Sequence, residues 1–151
     1  MDQTTLQKMK IAIGGDHAGF DLKSKVIEKL TANGFHVKDF GPFSKESCDY
    51  PDYIHPLAQA VESGEFNFGI IICGSGNGVN MVANKYQKIR SGLCWKPELA
   101  EMTRLHNDAN VIAIPARYIS EDIGLEIVDA FLNTEFEGGR HQRRVDKISC
   151  K

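Results

Sequence analysis

The sequence predicts an α/β fold in which a parallel sheet is covered by helices on both faces. Short apolar, strand-like runs alternate along the chain with longer segments whose apolar residues recur at helical spacing. That rhythm belongs to parallel sheets built through helical crossovers. The bulk numbers agree: 151 residues, 42% hydrophobic and 25% charged, suit one domain with its own core.

The first strand is expected over about Met9–Ile13 (M-K-I-A-I), ending at Gly14-Gly15. A helix follows from about Ala18 to Ala32, with Leu22, Val26, Ile27 and Leu30 on one stripe and Asn33-Gly34 as its stop. Phe35–Phe40 alternates as a second strand, and Gly41–Tyr50 is a loop rich in turn residues. Asp52–Ser63 reads as a helix in which Pro56 is tolerable only near the first turn. Phe68–Cys73 (F-G-I-I-I-C) is the most hydrophobic run and is placed at the sheet centre. After the glycine-rich turn Gly74–Gly78 a helix begins near Val79. Arg90–Trp95 is a fourth strand, Pro97–His106 a helix and Val111–Ile114 a fifth strand. Ser120 caps a helix that buries Ile123, Ile127, Val128, Phe131 and Leu132, with Glu121 and Asp122 in its first turn. Gly138-Gly139 breaks the chain before a basic amphipathic segment, Arg140–Ile148. The sum is a three-layer α/β/α sandwich, a Rossmann-like five-stranded sheet with a C-terminal helix. Residues 1–8 read as a flexible extension and 9–151 as a single domain.

Charge and composition exclude several classes. With 18 Lys+Arg against 20 Asp+Glu the net charge is −2, so no global basic field points to nucleic acid. No apolar run approaches the length of a membrane span, and Met1–Met9 lacks the apolar stretch of a signal peptide, so a cytoplasmic protein is expected. Cys48, Cys73, Cys94 and Cys150 show neither C-x-x-C nor zinc spacing, so no metal and no disulfide framework is expected. Most free cysteines are small buried hydrophobes.

Ligands in open parallel sheets bind beyond the carboxyl ends of the strands. Three polar groups lie there: Gly14-Gly15-Asp16-His17, the run Cys73-Gly74-Ser75-Gly76-Asn77-Gly78, and Arg117. Three glycines in five residues leave backbone N–H groups open to a phosphate or a developing oxyanion, although a tight turn needs small residues anyway. Cys73 ends the central strand beside that turn, where a thiol can act as thiolate. Asp16 and His17 can be a helix cap and a surface histidine, or site groups. His106, in Arg104-Leu105-His106-Asn107-Asp108, can be a solvated helix end. Arg140, His141, Arg143 and Arg144 can be a solvated face or a phosphate clamp, since arginine forks match phosphate oxygens. Together the groups fit an aldose–ketose interconversion, which needs a base, an oxyanion site, a ring-opening acid/base and a phosphate clamp, and no cofactor.

The motifs G-G-D-H-A-G-F (Gly14–Phe20), D-Y-P-D-Y (Asp49–Tyr53), C-G-S-G-N-G (Cys73–Gly78), A-N-K (Ala83–Lys85), R-L-H-N-D-A-N (Arg104–Asn110) and G-G-R-H-Q-R-R-V (Gly138–Val145) occur in this order. In this the chain resembles the ribose/galactose isomerase family, across about residues 9–149. The resemblance implies interconversion of ribose 5-phosphate and ribulose 5-phosphate through a cis-enediolate, a step of the pentose phosphate pathway. A six-carbon substrate such as allose 6-phosphate or galactose 6-phosphate is the runner-up, and a non-catalytic sugar-phosphate sensor the reading from another class. It implies Cys73 as the base, Ser75 as its assistant, the amides of Gly74, Gly76, Asn77 and Gly78 around the enediolate oxygens, and His106 with Asp16 for ring opening. Tyr50 and Asn107 match substrate contacts; His17, Arg117, Arg140 and Arg144 match the phosphate clamp. It implies a homodimer, perhaps paired into a tetramer, with the site shared between subunits and the arginines of the last helix supplied by the neighbour. Two positions depart from the pattern. Val79-Asn80 carry no acid where some relatives place a glutamate base, which implies the cysteine variant. Gly15 stands where many relatives have cysteine, a change expected to be structural and minor.

Overall fold

The computed structural model describes residues 9–150; the extension expected over residues 1–8 lies outside them. In chain order the elements are β1 (Lys10–Gly15), a 3-10 turn (His17–Gly19), α1 (Phe20–Ala32), β2 (His36–Asp39), α2 (Pro51–Glu62), β3 (Phe68–Cys73), α3 (Asn77–Ala83), β4 (Ser91–Leu93), α4 (Pro97–Asn107), β5 (Val111–Pro115), α5 (Glu121–Leu132) and α6 (Arg140–Asp146). The five strands form one parallel sheet in the order β2-β1-β3-β5-β4. The apolar run F-G-I-I-I-C therefore does take the centre.

Side chains along a strand point alternately to opposite faces, and both faces are covered. Ile11, Ile13, Ile70, Ile72, Ile112 and Ile114 pack with Leu22, Val26 and Leu30 of α1 and Ile127, Val128 and Phe131 of α5. Ala12, Ile71, Cys73 and Ala113 pack on the other face against Ile54, Leu57 and Val61 of α2 and Val79 and Ala83 of α3. Burying each of these isoleucines contributes about 1.5–3 kcal/mol before entropy is counted. The strands at the centre are anchored this way, so their carboxyl ends form a rigid rim.

The elements differ from expectation at their ends. The first helix starts at Phe20 because Asp16–Gly19 spend themselves on the 3-10 turn, with the Asp16 carboxylate accepting from the amides of Ala18 and Gly19. Pro56 is the sixth residue of α2, beyond the first turn. It is tolerated because Pro56 and Asp52 are exposed, so the Asp52 carbonyl that loses its donor faces water. The fourth strand shortens to Ser91–Leu93 at the sheet edge. There the Asn84 amide takes up the free backbone groups of Ser91, accepting from its N–H at 2.8 Å and donating to its carbonyl at 3.0 Å.

Two features brace the rim. Lys23 is 1% exposed, and its ammonium donates to both oxygens of Asp39 (2.8 and 3.0 Å) and to the Pro42 carbonyl. Asp39 also accepts from the Gly41 amide at 2.8 Å, and the Gly41 carbonyl accepts from the Gly15 amide at 3.0 Å. The end of β1 is thus tied to the loop that leads to α2. β1 and β3 also approach very closely: a β carbon on Gly15 would lie 2.0 Å from the Ile72 carbonyl oxygen. The glycine therefore fits this backbone where any side chain would require a local shift.

Candidate functional site

The carboxyl ends of β1, β3 and β5 open on one cleft of about 320 Å3. Asp16 enters from β1, Cys73 from β3 and Arg117 from the segment after β5, while Tyr50 closes the side nearest α2. Gly74, Ser75 and Gly78 form the floor. Seven of the residues singled out in the sequence are thereby brought together, with Gly76 and Asn77 in the same turn.

Cys73 is 5% exposed and is the last residue of its strand. The Gly76 amide donates to its sulfur at 3.1 Å. Gly76 makes this possible by adopting φ 74°, a left-handed conformation that glycine takes freely. The chain can then double back so that its N–H points at the thiol. The Asn77 amide donates to the Ser75 hydroxyl at 3.3 Å. α3 spans only seven residues, so the turn's own amides, rather than a long helix dipole, supply its positive character.

Tight packing holds the side walls. A β carbon on Gly78 would lie 2.4 Å from Tyr50 Cζ and 2.6 Å from its hydroxyl oxygen, so the phenol rests directly on the turn. Arg117 lies over Gly74 and is held there by its own amide donating to the Gly74 carbonyl at 3.0 Å. The Ala116 amide donates to the Cys73 carbonyl at 2.9 Å. The backbone after β5 is therefore fastened to the thiol's own residue. Asp16 is 9% exposed and uses Oδ1 for the two amides of the 3-10 turn; Oδ2 bonds to none of the described residues. His17 Nδ1 accepts from the Cys48 amide at 3.3 Å, so the neutral ring carries its proton on Nε2.

His106, Asn107, Arg140 and Arg144 are not at this cleft. His106 and Asn107 end α4, just before β5 begins, whereas Cys73 pairs with Pro115 at the other end of β5. Four residues of strand, at about 3.3 Å each, separate the two ends. α6 lies with the amino-end group: the Glu137 amide donates to the Leu105 carbonyl at 3.1 Å, and the His106 and His141 rings stack at 4.4 Å. Buried Arg104 builds this corner, donating to the carbonyls of Thr134 (3.0 Å) and Ala109 (2.7 Å) and to Asp108 (2.9 Å). Arg140 and Arg144 are exposed. The residues singled out in the sequence thus fall into two groups at opposite ends of the sheet.

The model of the Ribose/Galactose Isomerase family matches residues 11–148. The chain belongs to this family. It is 45% identical over 141 residues to ribose-5-phosphate isomerase B of Escherichia coli, covering 93% of this chain and 95% of the relative. A ribose 5-phosphate isomerase structure from Thermotoga maritima superposes with a TM-score of 0.92 at 47% identity, covering 94% of this chain and 98% of the other. The ribose-5-phosphate isomerase B of Mycoplasma genitalium, solved with bound ribulose-5-phosphate, has a TM-score of 0.90 at 40% identity, covering 93% and 94%.

Sequence reasoning passed over two residues, Tyr118 and Glu137, and read His141 only as part of a basic cluster. Tyr118 lines the cleft beside Arg117 and is 77% exposed. An aromatic next to an arginine just beyond a strand end was its only signal. Glu137, in the irregular segment before α6, and His141, in its first turn, stand beside His106. Burial, reinforced by the neighbouring His106 and Arg140, holds the His141 imidazole below its ordinary pKa. Burial pushes the Cys94 thiol up to about 12, which leaves it an inert core cysteine. No helix among the described residues is long and apolar enough to cross a membrane.

Proposed function

We propose that the chain is an aldose–ketose isomerase that interconverts ribose 5-phosphate and ribulose 5-phosphate in the cytosol. The observation that carries this is the thiol of Cys73 set against the Gly76 amide in a cleft shared with Asp16 and Arg117. The relative solved with ribulose-5-phosphate favours the five-carbon substrate over a six-carbon one.

In this reading the Cys73 thiolate removes the proton from C2 of the open-chain aldose. The C–H electrons form the C1–C2 double bond and the C1 carbonyl electrons move onto O1. The Gly76 amide supports negative charge on sulfur, and the open amides of Gly74, Asn77 and Gly78 steady the enediolate oxygens. Ser75 assists as the hydroxyl proton passes from O2 to O1. The Cys73 thiol then returns its proton to C1, leaving a carbonyl at C2. Electrons and protons balance within the sugar, so no cofactor is needed.

Ring opening is assigned to Asp16 and His106, and substrate contact to Tyr50 and Asn107. His17 and Arg117 hold the phosphate with Arg140 and Arg144, whose planar forks suit its oxygens. Since the two groups lie at opposite ends of the sheet, a working centre joins the cleft of one copy to His106, Asn107 and the arginines of another. The chain therefore acts as a homodimer.

The test is isomerisation of ribose 5-phosphate by purified protein in EDTA, beside Cys73→Ala. Wild-type turnover with kcat lower by about 100-fold or more in the variant is expected, the range typical of a lost general base. A variant kcat within a few-fold of wild type would remove Cys73 from the chemistry.

A further inference from the structure

The segment that follows β5 carries a side chain with no part in the core or in the chemistry assigned above. Tyr118 lines the cleft beside Arg117 and is 77% exposed, so its ring and hydroxyl stand largely in solvent. Its neighbours Ala116 and Ile119 pack against the core instead. The backbone here is tightly fixed: the amides of Ala116, Arg117 and Tyr118 donate to the carbonyls of Cys73 (2.9 Å), Gly74 (3.0 Å) and Pro115 (3.0 Å). Those N–H groups are therefore spent, and this wall can offer an anion only its side chains. Among the described residues that line the cleft, Arg117 is the cation and Asp16 the carboxylate. Asp16 follows β1 and Arg117 follows β5, with β3 between them, so the two strands lie about 10 Å apart. A dianion in the cleft is drawn to the β5 wall and repelled from Asp16.

We infer that Tyr118 is a phosphate-binding residue, its hydroxyl donating to the substrate phosphate that the Arg117 guanidinium holds. The inference rests on the isomerase reading above and adds to it a residue of the β5 wall. The oxygens of a phosphate accept more hydrogen bonds than one bidentate arginine fork can give. The next side chain on the same pinned turn supplies a further donor, a neutral O–H that adds a bond without adding charge. Donation to an ionised oxygen is stronger than donation between neutral groups. The phosphate takes no part in the proton transfer, so the contact is made equally in bound substrate and transition state. Tyr118 therefore governs affinity rather than the chemical step, and favours phosphorylated sugars over free ones.

Tyr118→Phe removes the hydroxyl and keeps the ring, so packing and any subunit contact of the ring stay in place. For ribose 5-phosphate, KM is expected to rise about tenfold with kcat within about twofold of wild type. Inorganic phosphate, used as a competitive inhibitor and in calorimetric titration of the full-length proteins, is expected to bind the variant about tenfold more weakly. The variant should sediment as the wild type does. KM and phosphate affinity both within about twofold of wild type overturn the inference. So does a fall in kcat with phosphate affinity kept, which places the hydroxyl at the reacting carbons. A variant that loses its assembly also overturns it, since Tyr118 is then an interface residue. Wild-type protein that binds phosphate about tenfold more tightly than Tyr118→Phe but isomerises no ribose 5-phosphate refutes the isomerase reading while the phosphate contact stands.

Discussion

Gly78→Ala tests whether Tyr50 is held in place by the glycine turn. The new methyl carbon would lie 2.4 Å from Tyr50 Cζ and 2.6 Å from its hydroxyl oxygen. Ordinary carbon–carbon contact begins at about 3.5 Å, so ring and turn must part by roughly 1 Å. Gly78 belongs to α3 and carries no positive φ, so alanine suits its backbone and the ring takes the strain. Overpacking of this kind destabilises by about 1–3 kcal/mol. A 1 Å displacement of a positioning group can reduce turnover about 100-fold. We therefore expect kcat/KM for ribose 5-phosphate to fall on the order of 100-fold, with a urea midpoint lowered by an amount worth about 1–3 kcal/mol. In Gly78→Ala/Tyr50→Ala the clash is gone, so the second substitution should recover most of the stability but not the activity. If Gly78→Ala keeps kcat/KM within threefold, the phenol does not position substrate and the packing against the turn is merely structural.

Two further outcomes follow from the same geometry. Mixing inactive Cys73→Ala with inactive His106→Ala, unfolding and refolding them together, should restore about a quarter of wild-type activity. Half of the dimers formed at random are mixed, and each mixed dimer contains one intact centre. Persistent inactivity of the mixture would mean that both residues act within one chain. Asp39→Asn leaves the buried Lys23 ammonium without its counterion; because Asp39 is 28% exposed, water offsets part of the loss, and destabilisation of about 3 kcal/mol in urea unfolding is expected. A loss under about 1 kcal/mol would show that the pair does not brace the rim.

The sheet was legible because its strands are continuous apolar runs. Phe68–Cys73 and Val111–Pro115 are buried on both faces, and local pattern alone identifies such strands. The edge strand was overextended because Arg90 and Trp95 look strand-like locally, while the pairing that ends at Leu93 depends on β5 and on Asn84. Pro56 was misjudged because its tolerance comes from an exposed carbonyl one turn earlier, which spacing does not reveal. The cleft was legible from the rule that ligands gather at strand ends. What sequence order hides is which end. Cys73 and His106 read as one constellation, and only the direction of α4 and β5 shows them to be separated by the length of a strand.

That separation bears on how the activity is built. Each copy presents a rigid thiol-and-amide cleft at one end of its sheet and a histidine-and-arginine corner at the other. In the proposed mechanism neither group suffices alone: the cleft offers the proposed base and Arg117, and the corner offers arginines but no base. If the proposed dimer is the working form, weakening its interface should lower turnover in proportion to the dimer population. The same arrangement explains why Arg104, far from the thiol, is buried among three acceptors. It fixes the end of α4 and the segment before α6 against the core, so that the corner is preformed. With His106 and the arginines on a single braced corner, the proposed association would set the ring-opening group and the phosphate clamp together.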